Sequence, residues 1–314
     1  MPGLTLIVNP TAGGGRASQL LPDATAALDA AGADYEIAES ASLAHAGQLA
    51  AAAAAQGRVI VAVGGDGMAG ALAAAASRLA GCYGIVPAGR GNDLARVLGI
   101  PSDPAEAARL LAHGAPVRQV DLIGVSVPGQ PEVIVAGSVY AGVPSVANTI
   151  ANETRWVRGS AVYTLAALRA VARWHPVTFG VQGAAGEPRE FAGYAVVVAN
   201  SAYFGAGMKV APPARIDDGI LDLVLMRHGP KLAFLRALAK IKDGSHVSLE
   251  QVSLDRDTEV TLTISQDMPV AADGETLPFA APLPAGTPLR IRVLRSALTV
   301  IAPSPAEDEP AGAS

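Results

Sequence analysis

The sequence VIVAVGGDGM, residues 59–68, joins an apolar, β-branched run directly to a glycine-rich turn. Such a run is typical of a strand buried on both faces, and the alanine- and leucine-rich residues 68–80 that follow are typical of a helix. The glycines are therefore predicted at the carboxyl edge of an α/β sheet, where open sheets bind ligands. Glycine lets backbone approach a bulky group, and free N–H groups at a helix start suit a phosphate. A tight turn without a ligand is the alternative, although Asp66 is a poor choice for an apolar turn.

Two more strand ends in the same half carry glycine-rich turns. Residues 4–8 (LTLIV) are predicted as a buried strand that leads into NPTAGGGR at 9–16, ahead of a helix over 17–31. Residues 84–87 are predicted as a strand that leads into AGRGNDLAR at 88–96. The first turn is not a Walker A loop, because no Gly-Lys-Ser/Thr follows, but small residues at a strand end can still hold phosphate through backbone N–H groups. Three such turns together predict a phosphate-binding edge more strongly than any one alone.

Shorter elements complete this half. We expect a strand at residues 35–37, a helix over 43–56 and another helix over 104–111. Asn92 or Asp93 is placed to cap the helix that follows the third glycine turn. Residues 1–125 are therefore predicted to form an α/β domain.

The pattern changes after residue 125. Apolar runs separated by turns rather than by regular helices predict strands at residues 133–136, 177–181, 194–199, 221–226, 260–264 and 289–293. This indicates a mainly β, sandwich-like second domain over residues 126–302. Helices over 157–174 and about 231–242 interrupt it, and the polar, proline-rich residues 303–314 are predicted to be disordered.

Acidic turns in the second domain suit metal or proton chemistry. The sequence RIDDGILD, residues 215–222, sets paired carboxylates in a turn, and carboxylate and carbonyl oxygens are ligands that Mg²⁺ prefers. The sequence VAADGE, residues 270–275, sets two acids at a strand end, where a carboxylate can accept a hydroxyl proton. An ordinary turn is the alternative in both places. Asp121 is either a strand-end turn residue or part of a charge network with Asp66 and Asp93.

Composition excludes several classes of protein. A net charge of −5 and a pI of about 5.5 argue against nucleic-acid binding, since no basic stripe is present. The single Cys82 excludes an internal disulfide and a cysteine-based zinc site. The five histidines lack metal-ligand spacing, and no Gly-x-Ser-x-Gly elbow is present. With no signal peptide and no segment apolar enough to span a bilayer, the chain is expected to be cytoplasmic.

The three glycine turns, in this order, resemble those of the diacylglycerol kinase catalytic-domain superfamily, which includes bacterial lipid kinases and sphingosine kinases. The family patterns Asn-Pro-x-(Ala/Ser)-Gly, Gly-Gly-Asp-Gly-Thr and Pro-x-Gly-Thr-x-Asn-Asp correspond to residues 9–13, 64–68 and 87–93. The family's Asp-Asp-Gly-x-Leu/Phe-Asp and Asp-Gly-Glu turns correspond to residues 217–222 and 273–275.

The resemblance covers about residues 4–300, and Asn200-Ser201 with residues 204–207 resembles a further family segment. It implies a Rossmann-like or phosphofructokinase-like nucleotide domain, a C-terminal β-sandwich domain, and ATP and Mg²⁺ as cofactors. By this resemblance, the residues that would line ATP are Asn9, Pro10, Thr11, Ala12, Gly13, Ser40, Gly64, Gly65, Asp66, Gly67, Met68, Gly70, Arg90 and Asn92. The residues that would lie near Mg²⁺ are Asp66, Asp93 and Asp121, joined by Arg16, with Arg215, Asp218 and Ile220 around a further ion. Asp273 or Glu275 would be the general base on a lipid hydroxyl.

Three positions depart from the family pattern. Met68 replaces the usual threonine, Gly70-Ala71 replaces a frequent Asn-Glu pair, and Arg90 replaces the threonine of the third turn. These changes remove a hydroxyl and a carboxylate from the expected nucleotide site. The arginine adds a cation that would either compensate for them beside a triphosphate or occlude the pocket.

The predicted function is an ATP- and Mg²⁺-dependent lipid kinase, with diacylglycerol as substrate and phosphatidic acid as product. An NAD kinase-like enzyme, which shares Gly-Gly-Asp-Gly, is one alternative, and a degenerate nucleotide- or lipid-binding regulator is another. A Rossmann dehydrogenase is disfavoured, because the glycine pattern at 65–70 follows the third strand rather than the first.

A lipid kinase must bind to a membrane surface to reach its substrate. We expect peripheral contact with the inner face of the membrane. A homodimer is left open. The predicted contact is an apolar and basic segment that includes the 157–174 helix. Its members are Arg155, Trp156, Val157, Arg158, Tyr163, Leu165, Leu168, Arg169, Arg173 and Trp174. A simply packed helix is the alternative.

Overall fold

The computed structural model describes residues 2–11, 14–153, 161–205 and 207–304. The chain forms two compact units. Unit 1 comprises the described residues up to Val120 together with those from Leu298 onward, and unit 2 is Asp121–Ala297.

Unit 1 alternates strands and helices along the chain. Its described elements are β1 (Leu4–Val8), α1 (Arg16–Ala30), β2 (Tyr35–Glu39), α2 (Leu43–Ala55), β3 (Val59–Gly64), α3 (Asp66–Arg78), β4 (Cys82–Pro87), α4 (Asp93–Val97) and α5 (Pro104–Ala112). The strand order is β2-β1-β3-β4, and every pairing in it is parallel. The predicted α/β arrangement is confirmed, and the carboxyl ends of β1, β3 and β4 meet at one edge of the sheet.

The strands of unit 1 form where apolar residues run without interruption. All five residues of β1 and all six of β3 are buried, as expected for central strands covered by helices on both faces. Helix starts follow local chemistry: the Ser42 side chain accepts a hydrogen bond from the His45 N–H, and Asp103 accepts one from the Glu106 N–H. These elements fix the strand ends that carry the glycine turns.

Unit 2 is mainly β. Its described elements are β5 (Val117–Ser126), β6 (Val133–Val135), β7 (Ser138–Gly142), α6 (Val143–Glu153), α7 (Ala161–Arg173), β8 (Val177–Gly183), β9 (Arg189–Ala199), β10 (Tyr203–Phe204), β11 (Met208–Lys209), β12 (Leu221–Arg227), α8 (Lys231–Lys240), β13 (Val252–Asp257), β14 (Glu259–Ile264), β15 (Val270–Ala272), β16 (Glu275–Thr276) and β17 (Leu289–Ile301). The strand order is β16-β15-β7-β9-β8-β14-β17, while β12 pairs with β9 and β13, and β5 pairs with β6 and β17. The predicted mainly β second half is confirmed.

Two strands belong to both units. β5 begins in unit 1 and continues into unit 2. β17 pairs antiparallel with β14 through Leu289–Arg292 and then parallel with β4 through Thr299 and Val300. The chain therefore enters unit 2 along one strand and returns to unit 1 along another.

Several elements differ from the sequence-based expectation. Asp121 lies inside β5 rather than at a strand end, because the strand continues through it to Ser126. β7, β13 and α6 were not predicted, since small and polar residues dilute their apolar pattern. A helix is predicted over residues 157–174, of which residues 157–160 lie outside the described residues. The structure describes α7 from Ala161 to Arg173.

Candidate active site

The turns after β3 and β4 touch through their backbones. A Cβ atom added to Gly65 would lie 3.0 Å from the Gly89 Cα, and one added to Gly89 would collide with Gly65 and with the Asn92 Oδ1 at 2.7 Å. Glycine is required at both positions because no side chain fits between the two turns.

The Asp66 carboxylate joins these two turns. It accepts hydrogen bonds from the Asp93 N–H at 2.6 Å and the Asn92 N–H at 3.0 Å. The Asn92 side chain does not cap α4; it bonds instead to the backbone of Gly89. Asn92 occupies the N-cap position of α4, but no side-chain cap hydrogen bond is formed there, so the predicted capping by Asn92 or Asp93 is wrong. Asp66, 27 residues earlier than Asp93, instead accepts from the first two N–H groups at this helix start.

The helices that follow β1 and β3 begin without a side-chain cap. α1 starts after Gly15 and α3 after Gly65, and no side chain accepts a hydrogen bond at either N-cap. The first N–H groups of a helix have no partner within it and carry its positive dipole end. Both starts lie after strand ends of unit 1, and they are suited to bind phosphate oxygens.

The other residues predicted to line ATP have mixed environments. Asn9 Oδ1 accepts hydrogen bonds from the Thr11 N–H at 3.1 Å and the Thr11 hydroxyl at 3.0 Å, which closes the turn after β1. Ser40 is buried, and its hydroxyl donates to the Val8 carbonyl at the end of β1. Arg90 is exposed. Ala12 and Gly13 lie outside the described residues.

Met68 has a packing role. It is only 6% exposed, and a Cβ atom added to Gly64 would lie 2.9 Å from its Cβ. The residue that replaces the family's threonine is thus part of the interior at the start of α3. Gly70 lies two residues further along the same helix.

In unit 2, Asp121 holds two backbone segments. Its carboxylate accepts hydrogen bonds from the Gly219 N–H at 2.6 Å and the Ser296 N–H at 2.7 Å, and the residue is only 3% exposed. Its own N–H donates to the Ile216 carbonyl at 2.7 Å. These contacts fix the 215–220 turn against β5 and argue for a structural role for this carboxylate.

The same turn is joined to β13 by an arginine. Asp218 Oδ1 accepts from the Ile220 N–H at 3.1 Å, and Asp218 Oδ2 lies 2.6 Å from the Arg256 guanidinium. The Arg256 Nε also lies 3.2 Å from the Asp222 carboxylate, which is fully buried. Burial raises the pKa of the Asp222 carboxyl, and the Arg256 charge opposes this effect.

The two acids of the 273–275 turn differ sharply. The Asp273 carboxylate accepts hydrogen bonds from the N–H groups of Ala136, Gly137 and Ser138, at 2.8–3.1 Å. The backbone of Glu275 pairs with Ala272 in the β15–β16 ladder, but its side chain is exposed, and no side-chain hydrogen bond or ion pair holds it within the described chain. The Asp273 carboxylate thus holds the 273–275 turn to residues 136–138, a contact that we call the Asp273 clamp. The Glu275 side chain is free to approach a substrate.

Asn200 links the segments that hold these acids. It is fully buried, and its side-chain amide donates to the Asp121 carbonyl at 2.8 Å and the Ala136 carbonyl at 3.2 Å. Its backbone N–H donates to the Gly137 carbonyl at 2.8 Å. The Asp273 clamp and the Asp121 clamp therefore share one buried asparagine.

The predicted magnesium ligands do not form a protein cage in the described residues. No group of three His, Cys, Asp or Glu side chains there could hold a metal ion. Asp66, Asp121 and Asp218 each already accept hydrogen bonds on both carboxylate oxygens. Magnesium often keeps several waters and binds through one or two carboxylates plus substrate phosphates, so these residues fit an ion that arrives with a nucleotide better than a resident ion.

The predicted membrane contact is only partly described. Arg155, Trp156, Val157 and Arg158 lie outside the described residues, and the side chains of Tyr163 and Leu165 are not described either. Trp174 is 8% exposed and donates its indole N–H to the Gly193 carbonyl, so its inclusion in a membrane contact is wrong. Leu168, Arg169 and Arg173 are exposed, and no helix in the described residues is long and apolar enough to cross a membrane.

Two family models together match most of the chain. The diacylglycerol kinase catalytic domain matches residues 3–125, and the YegS C-terminal NAD kinase beta sandwich-like domain matches residues 137–302. With the fold and turns described above, they define the class of protein as a lipid kinase. The chain belongs to the diacylglycerol kinase catalytic-domain family, which confirms the resemblance carried by the glycine turns.

Individual relatives agree with this assignment. A "Diacylglycerol kinase" of Mycobacterium tuberculosis (strain CDC 1551 / Oshkosh) is 31% identical over 303 residues, covering 93% of this chain and 94% of the relative. A "Probable lipid kinase YegS-like" of Stenotrophomonas maltophilia (strain K279a) is 31% identical over 257 residues, covering 74% and 80%. A solved diacylglycerol kinase structure from Bacillus anthracis str. Sterne has a TM-score of 0.70 at 22% identity, covering 96% of this chain and 97% of that chain, which supports the fold.

Proposed function

We propose that this lipid kinase transfers the γ-phosphoryl group of ATP to the hydroxyl of a diacylglycerol, giving phosphatidic acid. The observation that carries the proposal is the pair of uncapped helix starts, α1 and α3, at strand ends of a family-typical glycine-turn edge. Phosphoryl transfer depends on positioning and charge neutralisation more than on covalent chemistry. Backbone N–H groups at two helix starts supply both.

The chain's residues divide the work as follows. The turns closed by Asn9 and by Asp66 present N–H groups to the phosphates, and Arg90 adds an exposed positive charge at the same edge of unit 1. Mg²⁺ bound with ATP would neutralise phosphate charge, with Asp66 and Asp93 as its proposed protein neighbours through water. Glu275 accepts the proton of the lipid hydroxyl as the new O–P bond forms. Asp273 positions the turn that carries Glu275.

The test is transfer of radiolabelled phosphate from ATP to a panel of diacylglycerol, sphingosine, ceramide and NAD⁺. We expect label on diacylglycerol that is lost in Glu275→Gln. Glu187→Gln, an exposed glutamate in the turn between β8 and β9, is the matched control and should keep full activity. Label on NAD⁺ alone would contradict the proposed acceptor and favour the dinucleotide kinase. Saturable ATP binding without transfer to any acceptor would favour the regulator.

We also propose that α7 and α8 dock the enzyme on an anionic bilayer. All four lysines of a chain with net charge −5 lie between residues 209 and 242. On α8, Phe234 and Ala237 face the interior, while Leu232, Arg236 and Lys240 form an exposed stripe at i, i+4 and i+8. An apolar side chain next to cations on an exposed helix face is typical of interfacial helices.

The two helices form one surface. Trp174, directly after α7, and Phe234 of α8 both stack on Tyr194, and the Lys231 ammonium donates to the Ala172 carbonyl at the end of α7. Several exposed arginines on the strands of unit 2 are ion-paired, as in Arg189–Asp255 and Arg290–Glu259. In the described chain the cations that form no ion pair on this surface are Arg169, Arg173, Lys231, Arg236, Lys240 and Lys242. Hydrogen bonds from Ser245 and, to a lesser degree, the charge of Lys240 lower the pKa of the Asp243 carboxyl. The charge of these cations is therefore available to acidic headgroups.

Vesicle sedimentation tests this surface without requiring turnover. We expect binding to phosphatidylglycerol-containing vesicles, and weaker binding of the Arg236→Gln/Lys240→Gln variant by about 30-fold, at about 1 kcal/mol for each basic residue. Arg189→Gln, which removes an ion-paired arginine, is the control and should bind as the unaltered protein does. Unchanged binding of the double variant would refute the docking surface while leaving the kinase proposal intact.

A further inference from the structure

The turn before β12 holds an unusual concentration of charge around one guanidinium. Asp222 lies directly opposite Arg256 in the antiparallel pairing of β12 with β13, so strand register places the arginine beside the acid. From there its Nη2 reaches Asp218 at 2.6 Å and its Nε reaches Asp222 at 3.2 Å. One side chain therefore faces two carboxylates that are four residues apart.

Asp222 makes this arrangement more than a surface ion pair. Its side chain is 1% exposed, and neither carboxylate oxygen has a hydrogen-bond partner in the described chain. A buried carboxylate without hydrogen bonds requires a compensating positive charge. The Arg256 guanidinium supplies that charge from the neighbouring strand.

The same turn is where family resemblance suggests a divalent ion, through Asp218 and the carbonyls of Arg215 and Ile220. In this chain Asp218 is already bonded to the Ile220 N–H and to Arg256. Guanidinium is weakly hydrated and matches carboxylate geometry, whereas Mg²⁺ gives up its water reluctantly. The residues present therefore fit the half-exposed guanidinium of Arg256 better than a free metal ion.

We propose that Arg256 is the resident cation of this turn and that it excludes divalent ions from Asp218 and Asp222. Without the Arg256 guanidinium, the two carboxylates and the turn carbonyls form an oxygen-rich site. The Arg295 guanidinium packs against Gly219 of the same turn, but no ion pair joins it to Asp218 or Asp222 in the described chain. Removing Arg256 should therefore create a divalent-cation site that the unaltered protein lacks. The exclusion of divalent ions from this turn does not depend on kinase activity. Only its catalytic consequence rests on the proposed function: Mg²⁺ would act with the bound nucleotide and not at the 215–222 turn.

The test compares Mn²⁺ binding, by electron paramagnetic resonance, in nucleotide-free protein and in Arg256→Gln. We expect one additional Mn²⁺ bound by the variant, at least tenfold more tightly than any Asp218-dependent binding in the unaltered protein. The Arg256→Gln/Asp218→Asn double variant should lose the additional ion. Arg290→Gln, which breaks the exposed Arg290–Glu259 pair, is the matched control and should bind no additional ion.

Thermal unfolding gives a second measurement. In EDTA, Arg256→Gln should have a lower Tm than the unaltered protein, and Mg²⁺ or Ca²⁺ should raise that Tm again. Arg256→Lys keeps the charge, so both its loss of Tm in EDTA and its gain of Tm with the metal ion should be smaller. The proposal is overturned if Arg256→Gln binds no additional Mn²⁺, or if Asp218→Asn alone removes an ion from the unaltered protein. Neither readout depends on turnover, so a failure of the kinase proposal would leave this result interpretable.

Discussion

Exchanging Asp273 or Glu275 for its amide should separate folding from catalysis. Asp273 Oδ2 accepts hydrogen bonds from the Ala136 N–H at 2.9 Å and the Gly137 N–H at 3.1 Å, and Oδ1 accepts from Gly137 at 3.0 Å and Ser138 at 2.8 Å. In Asp273→Asn one acceptor oxygen becomes an NH₂ group that faces N–H donors. One N–H loses its acceptor, and the shared Gly137 N–H keeps one of its two acceptors, so the loss amounts to about one and a half bonds.

The expected cost follows from those bonds. Hydrogen bonds to a charged group contribute about 1.5–3 kcal/mol each, so the loss should be about 2–4 kcal/mol. For a unit of this size, 1 kcal/mol corresponds to about 2–4 °C in Tm, which predicts a fall of roughly 5–15 °C. Glu275→Gln should leave Tm unchanged, because the side chain is exposed and unpartnered in the described chain, and should lower kcat about 10²–10⁴-fold.

Differential scanning calorimetry and phosphoryl-transfer rates on the same preparations check both halves of this prediction. The rate for Asp273→Asn is measured well below its own Tm, so that unfolding does not mimic a catalytic defect. The reasoning is refuted if Asp273→Asn abolishes turnover with an unchanged Tm while Glu275→Gln remains active. That result would make Asp273 the base.

Three further predictions concern the two units separately. Gly89→Ala should destabilise unit 1 severely, because its Cβ has no space beside Gly65, and loss of folded protein by circular dichroism checks this. Asp66→Asn should cost about 1–2 kcal/mol by weakening the cap of α4, measured by urea unfolding. Burial lowers the pKa of His246 in the folded protein below its ordinary value of 6.5. As the pH falls below about 6.5, the unfolded chain therefore binds a proton before the folded chain does, and the free energy of unfolding should decrease. His246→Gln, which can still donate to the Val210 carbonyl, should flatten that dependence in calorimetry across the same range.

Sequence reasoning succeeded where the determinants are local. The strands of unit 1 are uninterrupted apolar runs, and the glycine turns follow them directly, so periodicity and turn chemistry were sufficient. The family motifs located the same turns. In unit 2 the alternation identified most long strands, but it missed β7, whose SVYAG sequence combines small and polar residues.

The partners of the acids could not be read from the sequence. The Asp273 carboxylate binds N–H groups about 136 residues earlier, and Asp218 meets Arg256 38 residues later. Nothing near Arg256 in the sequence distinguishes it from other strand arginines, and its role depends on the register of β12 with β13. The carboxylates of Asp66, Asp121 and Asp273 were candidates for metal or proton chemistry by residue type, and only the fold shows that backbone N–H groups already hold them.

The return of β17 to unit 1 has a consequence for synthesis on the ribosome. β4 pairs with Thr299 and Val300, so unit 1 lacks one strand of its sheet until these two residues have emerged, more than 200 residues after β4. Unit 2 ends at Ala297, so both units become complete at nearly the same point of translation. The nascent chain should therefore leave the edge of β4 open for most of translation, a period in which a chaperone or another chain could occupy it.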